Sequence, residues 1–289
     1  MSDSSVKETR RVLRLVQNHL MQANLNLGAV REPIGLVDVI YHPTNTLANL
    51  NYVTPRQKTA WVPGDEIERG LDFLREKGYC PRVQYIEGLF PPVFAKTLMG
   101  LGLKVERETP LMVYKVAEQA RRFKMPPVPR EITISHATDQ HGIAVWWYVW
   151  RNAYYDVQSA GVEPLFVGRD MRELTLGHHV DILVYRYGFP VGVVRLTLHE
   201  ETAHIAALAL MQEVRTMEMT RMLHAAAVNA ALERGSKLVF TSGEMERDRR
   251  LCRELGFIDS GSIVCYSEGS DEAREEQDAS LAQPVFVLR

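Results

Sequence analysis

Residues 209–223 read ALMQEVRTMEMTRML. A hydrophobic run from Ile205 to Met211 passes through polar residues into a helical pattern. A strand that feeds a helix start offers an anion site, because the unpaired N–H groups of the first turn and the helix dipole both favour negative charge. Arg215 adds a positive charge at this turn. Glu218 adds a negative one where an anion would lie, and no glycine opens the turn. A second group is aromatic. Trp146, Trp147, Trp150 and Tyr154 recur at three- and four-residue spacing in a helical stretch over 139–160. Such a stripe forms either a core face or a wall for an apolar or cationic ligand, since tryptophan faces attract ammonium groups. Metal chemistry has no comparable signal. Cys80, Cys252 and Cys265 form no CxxC pair, and the nine histidines form no HExxH. The adjacent His178 and His179 would face opposite ways on a strand.

The composition excludes several classes of function. Of 289 residues, 46% are hydrophobic and 24% charged, an ordinary globular mixture. The formal net charge of -2 gives no basic surplus for nucleic acid or an anionic membrane. The first twenty residues lack the apolar centre of a signal peptide, and no segment approaches the ~20 apolar residues that span a bilayer. The widely spaced cysteines fit a reducing cytosol, so a cytoplasmic protein is expected.

The elements that must hold these residues alternate between helix and strand. Residues 5–24 form an amphipathic helical pattern, followed by short strands near 35–41 and 48–53. A helix over 64–77 stops at Gly78. A strand, a helix ending at Gly102 and a strand through Val113-Tyr114 follow. Three prolines within 126–129 interrupt regular structure. Then come a strand (EITISH), the aromatic helical region, and three strands (VDILVYRY, PVGVVRLTL, HIAALALM) joined by short turns as an antiparallel meander. A helix over 217–233 ends at Gly235, followed by KLVFTS, a helix ending at Gly256, GSIVCYSE, an acidic loop and a last strand, PVFVLR. The two halves echo one another through Leu101-Gly102-Leu103 and Leu255-Gly256-Phe257. That repetition suggests duplication of one α/β unit, with chance recurrence of a common pattern as the alternative.

This order, with PVGVVRLTL, HIAALALMQEVR and RLCRELGFIDSGSIVCY, resembles the GNAT (N-acetyltransferase) superfamily over about 131–289. A shortened copy covers about 35–115. The resemblance implies an α/β (α+β) fold with a mixed, largely antiparallel twisted sheet and two GNAT-like units. It divides the chain into a shortened, non-catalytic domain at 1–118, a proline-rich linker at 119–130 and an acetyltransferase domain at 131–289. It implies acetyl-CoA as the cofactor and a small-molecule or peptide amine as the acceptor, attacked directly, with a homodimer possible. The fourth strand of the fold splays from the fifth, and pantetheine lies between them. Leu208 and Leu210 would line that strand, and the turn over Arg215, Thr216, Met217, Glu218, Met219 and Thr220 would hold the pyrophosphate. The family's turn glycines are Thr216, Glu218 and Thr220 here.

Amine attack needs a base, and the departing thiolate needs a proton. Candidate bases are Glu200, Glu201, His204 and Glu213; His204 opens the fourth strand, and Glu213 lies at its exit. The family's usual tyrosine acid corresponds to Cys252, with Tyr266 on the next strand as a substitute. Trp146, Trp147 and Trp150 fall where the family lines its acceptor cleft. The departures at the turn and at Cys252 leave a catalytically inactive ligand- or protein-binding module as the alternative.

Overall fold

The structure is a computed structural model that describes residues 3–56, 59, 61–116, 123–155 and 164–269. The expected acidic loop beyond Gly269 and the last strand, PVFVLR, lie outside these residues. The chain divides into two compact units: Met1–Leu111 with Ser260–Arg289, and Met112–Asp259.

The first unit opens with helix α1 (Asp3–Asn26) and strands β1 (Val30–Ile34), β2 (Val37–Tyr41) and β3 (Tyr52–Pro55). Helix α2 (Gly64–Glu76), strand β4 (Arg82–Ile86), helix α3 (Val93–Gly100) and strand β5 (Lys104–Lys115) follow. Two details differ from the sequence expectation. The hairpin of β1 with β2 was hidden by Pro33, which an edge strand tolerates. The strand expected at 48–53 begins only at Tyr52, because a 3-10 turn takes Ala48–Leu50. Helix α2 places Ile67, Gly70, Leu71 and Leu74 on one buried face, at the spacing of a single helical stripe. That face packs with Val37, Val39, Val53 and Val83 in the first core.

The second unit contains β6 (Ile132–His136), α4 (Gln140–Tyr155), α5 (Pro164–Thr175), β7 (His179–Arg186), β8 (Phe189–His199) and β9 (Thr202–Leu210). It continues with α6 (Met217–Glu233), β10 (Leu238–Ser242) and α7 (Glu246–Glu254), and β11 (Ile258–Ser267) begins at its end. The antiparallel meander runs β6–β7–β8–β9, and β10 joins β9 in parallel. Helix α6 is rich in alanine on its buried side. Ala226, Ala227, Ala230 and Ala231 pack with Val194, Leu196, Ala203 and Ile205 of the sheet.

The division of the chain departs from a simple cut at 119–130. Residues of β11 from Ser260 on belong to the first unit, where the strand pairs antiparallel with β4, from Ile263 opposite Ile86 to Ser267 opposite Arg82. Residues of β5 from Met112 on belong to the second unit, where the strand stands next to β10. The two halves of the chain thus exchange closing strands. Backbone pairing decides this, and no local residue pattern announces it.

A Cβ added at Gly70 would lie 2.9 Å from Val53 and 3.1 Å from Val37. Gly70→Ala is therefore expected to destabilise the protein by about 1–3 kcal/mol through overpacking, despite alanine's better helix propensity. Urea denaturation checks this; an unchanged or higher midpoint would refute the close approach.

Candidate active site

In the second unit two neighbouring strands pair over only part of their length. β9 and β10 pair in parallel at only three positions: Thr202 with Leu238, Ala203 with Val239, and His204 with Phe240. The Thr241 hydroxyl then donates to the Ile205 carbonyl at 3.3 Å. From Ala206 to Leu210 strand β9 has no registered partner on β10. On its other edge β9 stays paired with β8, but with a shift: Arg195 faces Ala207 and Leu196 faces Ile205. Ala206 is the extra residue of a β-bulge, which bends a strand and increases its twist.

The turn after β9 is largely self-satisfied. A 3-10 turn takes Gln212–Val214, and the N–H groups of Val214, Arg215 and Thr216 bond to Met211, Gln212 and Val214 carbonyls. Thr216 is the N-cap of α6, its hydroxyl accepting from the Met219 N–H at 3.2 Å. The Thr220 hydroxyl donates to the Thr216 carbonyl. Arg215 turns back: its guanidinium donates to the Leu210 carbonyl at 3.1 and 3.2 Å and to the Ala153 carbonyl at 2.6 Å. The first-turn N–H groups of Met217 and Glu218 have no acceptor among the described residues.

No protein-family profile and no curated protein matches the chain. Solved structures do match. A GCN5-related N-acetyltransferase from Kribbella flavida superposes with a TM-score of 0.70 at 14% identity, over 91% of this chain and 98% of that one. A tandem GNAT protein from the clavulanic acid biosynthesis pathway matches with a TM-score of 0.57 at 13% identity, over 81% of this chain and 79% of its own. A GCN5-related N-acetyltransferase from Sphaerobacter thermophilus gives 0.56 at 13% identity, over 81% of both chains. The chain has the GNAT fold.

Within that fold the residues singled out from the sequence lie in different surroundings. Leu208 is half-buried and Leu210 buried, both against the α6 core. His204 stacks on Phe240, ring centroids 4.5 Å apart and 5° from parallel. Burial pushes its pKa down to about 4, so the ring is neutral at pH 7. A ring so reluctant to take a proton is a weak base. Cys252 is sealed in the α6 core, and burial, aided by Asp248 and Asp259, pushes its thiol up to about 12. Ala203 and Ile205 face that core, so His204 between them faces the other side of the sheet. Tyr266 belongs to the first unit's core, stacked on Tyr85 with centroids 6.2 Å apart. Within the second unit, His204 and Cys252 lie on opposite faces of the sheet and are not brought together.

Trp146, Trp147 and Trp150 are 0%, 1% and 5% exposed, so none presents an open wall. The side chain of Tyr154 lies outside the described residues. The indoles instead enclose residues that the sequence reading passed over. The Arg195 guanidinium lies 4.1 Å from the centre of the Trp146 ring. It donates to Asp181 at 2.6 and 2.5 Å and lies 2.7 Å from Asp170. Trp147 donates its indole N–H to Asp170 at 2.9 Å, and Trp146 donates to the Val194 carbonyl at 3.1 Å. Burial opposes charge on Asp181, but Arg195 outweighs it and holds the carboxyl at about 2. The available signal was the aspartate near the start of VDILVYRY, which also carries Arg186 towards its end, and the one arginine of PVGVVRLTL, charges set in largely apolar strands.

The first unit has its own parallel pair, β3 with β4, registered only at Val53 and Val83. Here the space beside the strands is filled from within. Gln17 of α1 donates to the Thr54 hydroxyl at 3.2 Å and to the Pro55 carbonyl at 3.3 Å. A cavity of about 20 Å³ remains, enough for about one water molecule.

Two outcomes are expected. Arg195→Met leaves Asp181 buried without its arginine and Asp170 with Arg169 alone, and should cost about 3–5 kcal/mol, read by chemical denaturation; a loss well below that range would show the cluster to be dispensable. For His204, the folded pKa lies below the unfolded value of about 6.5, so the unfolded chain binds the extra proton. Its contribution is intact above about pH 6.5 and is lost as the pH falls towards 4. His224 shifts in the same direction through burial. Unfolding midpoints between pH 7 and 4 should fall less steeply in His204→Gln than in the parent, and parallel curves would remove His204 as a cause.

Proposed function

We propose that this protein transfers an acetyl group from acetyl-CoA to an amine carried by a small molecule or peptide. One observation carries the reading: β9 leaves β10 after His204, so its backbone from Ala206 to Leu210 has an edge without a registered strand partner. An extended chain with amide groups, such as pantetheine, can pair with such an edge as an added strand does. The free N–H groups of Met217 and Glu218 supply an anchor for a phosphate group at the start of α6. When bound, acetyl-CoA supplies an activated thioester carbon. The chain holds the acyl donor along β9 and lets the amine approach directly. The first unit acts as a non-catalytic copy, a reading supported by Gln17 in the place where a ligand would pair with β3.

A second reading has a specific observation behind it. His204 is a weak base and Cys252 a buried, high-pKa thiol. Neither suits acid–base catalysis at neutral pH, which favours a protein that binds a ligand without turnover. Release of CoA thiol across a panel of amines separates the two.

Thermal denaturation with CoA tests the premise of the first. Ligand at a hundred times its Kd adds about 2.7 kcal/mol, and no shift at millimolar CoA would sink the acyl-transfer reading. Glu218 places a carboxylate in the first turn of α6, so Glu218→Gln is expected to tighten CoA several-fold. Weaker binding by that variant would mean the carboxylate helps rather than repels.

A further inference from the structure

Arg215 stands at the junction of three elements in the second unit. It ends the 3-10 turn that follows β9 and directly precedes Thr216, the N-cap of α6. Its guanidinium holds two carbonyls at once. Nε and Nη2 both donate to the carbonyl of Leu210, the last residue of β9, and Nη2 also donates to the Ala153 carbonyl at 2.6 Å. Ala153 lies in the last turn of α4, where carbonyls lack partners within the helix and a cation is favoured. These bonds all go to backbone, so they fix positions rather than neutralise a carboxylate.

On the acyl-CoA reading the donor uses two places: the edge of β9 from Ala206 to Leu210, and the Met217 and Glu218 N–H groups at the start of α6. The stretch from Met211 to Thr216 separates them. The Met211 N–H still bonds to the Val191 carbonyl on β8, but the backbone bonds beyond it are internal to the turn. They shape the turn without tying it to the sheet. The Arg215 side chain supplies that tie, back to the end of β9 and across to α4. A planar guanidinium holds both carbonyls in one geometry, which an ammonium on a flexible stem does not reproduce.

We propose that Arg215 is a positioning residue that keeps the start of α6 in register with the edge of β9. It acts through the backbone and touches neither half of the donor. A ligand that spans both places gains from a spacing set before it arrives. A ligand that uses the helix start alone gains nothing from that spacing. The proposal rests on the acyl-CoA reading and adds to it the residue that joins the two halves of the donor site.

Arg215→Lys keeps the charge and removes the fork, so it separates geometry from charge attraction. Calorimetric titration of the full chain compares CoA with adenosine bisphosphate, its nucleotide half. The variant is expected to bind CoA at least about tenfold more weakly and adenosine bisphosphate within about threefold of the parent, with its melting temperature kept. Equal losses for the two ligands would make Arg215 a phosphate contact and overturn the proposal. Full CoA affinity in the folded variant would overturn it too. Hydrogen exchange of the unliganded chains adds a readout that needs no ligand. The Val214 and Arg215 amides should exchange faster in the variant while the middle of α6 stays protected, and unchanged exchange at the turn would remove the register. A parent chain that binds no CoA loses the acyl-CoA reading and the register with it, whereas equal CoA binding by parent and variant loses the register alone.

Discussion

Asp181 on β7 and Arg195 on β8 stand directly opposite each other, both sealed from water. Moving either ion out of water alone costs several kcal/mol, so each requires the other. The pair then recruits neighbours. Asp170 brings α5 to the same guanidinium, and Trp146 and Trp147 bring α4 over it. Apolar contact alone is indifferent to small slides and rotations. Directional bonds to one buried cation are not, and they fix two helices to two strands at a single point.

That point lies at the level where the sheet begins to open. Arg195 has Asp181 on one side and Ala207 of β9 on the other, and the bulge at Ala206 falls at the next step. The register shift between β8 and β9 lies on β9, and a separate one between β7 and β8 lies on β8 at Val191. Beyond the bulge β9 runs on beside β8 without β10. Arg215 then ties the end of β9 to the end of α4 through the Leu210 and Ala153 carbonyls. The arginine singled out at this turn from the sequence thus holds the end of β9 in place.

Local pattern made much of this fold legible. The meander, the helix over 217–233 and the glycine stops after α2, α3, α6 and α7 follow from periodicity and from residues that tolerate positive φ. What escaped was non-local. One bulged alanine leaves no mark in a strand already rich in alanine. The clustering of Arg195 with Asp170 and Asp181 joins residues from three elements. The helical stripe of tryptophans reads alike whether it faces a ligand or a buried cation, and burial decided that. Chain order also misassigns Tyr266, which follows the second half's closing helix but packs in the first unit's core.

The exchange of β5 and β11 sets an order for synthesis. The sheet of the first unit needs residues 260–267 beside β4. Those residues leave the ribosome after both units' helices have been made. The second unit has its own strands in hand earlier, since β5 precedes it in the chain. During translation the amino-terminal half must therefore wait, with the edge of β4 open, while the later half is completed. The part made first is the part finished last, and its unpaired edge is the segment most in need of shielding on a nascent chain.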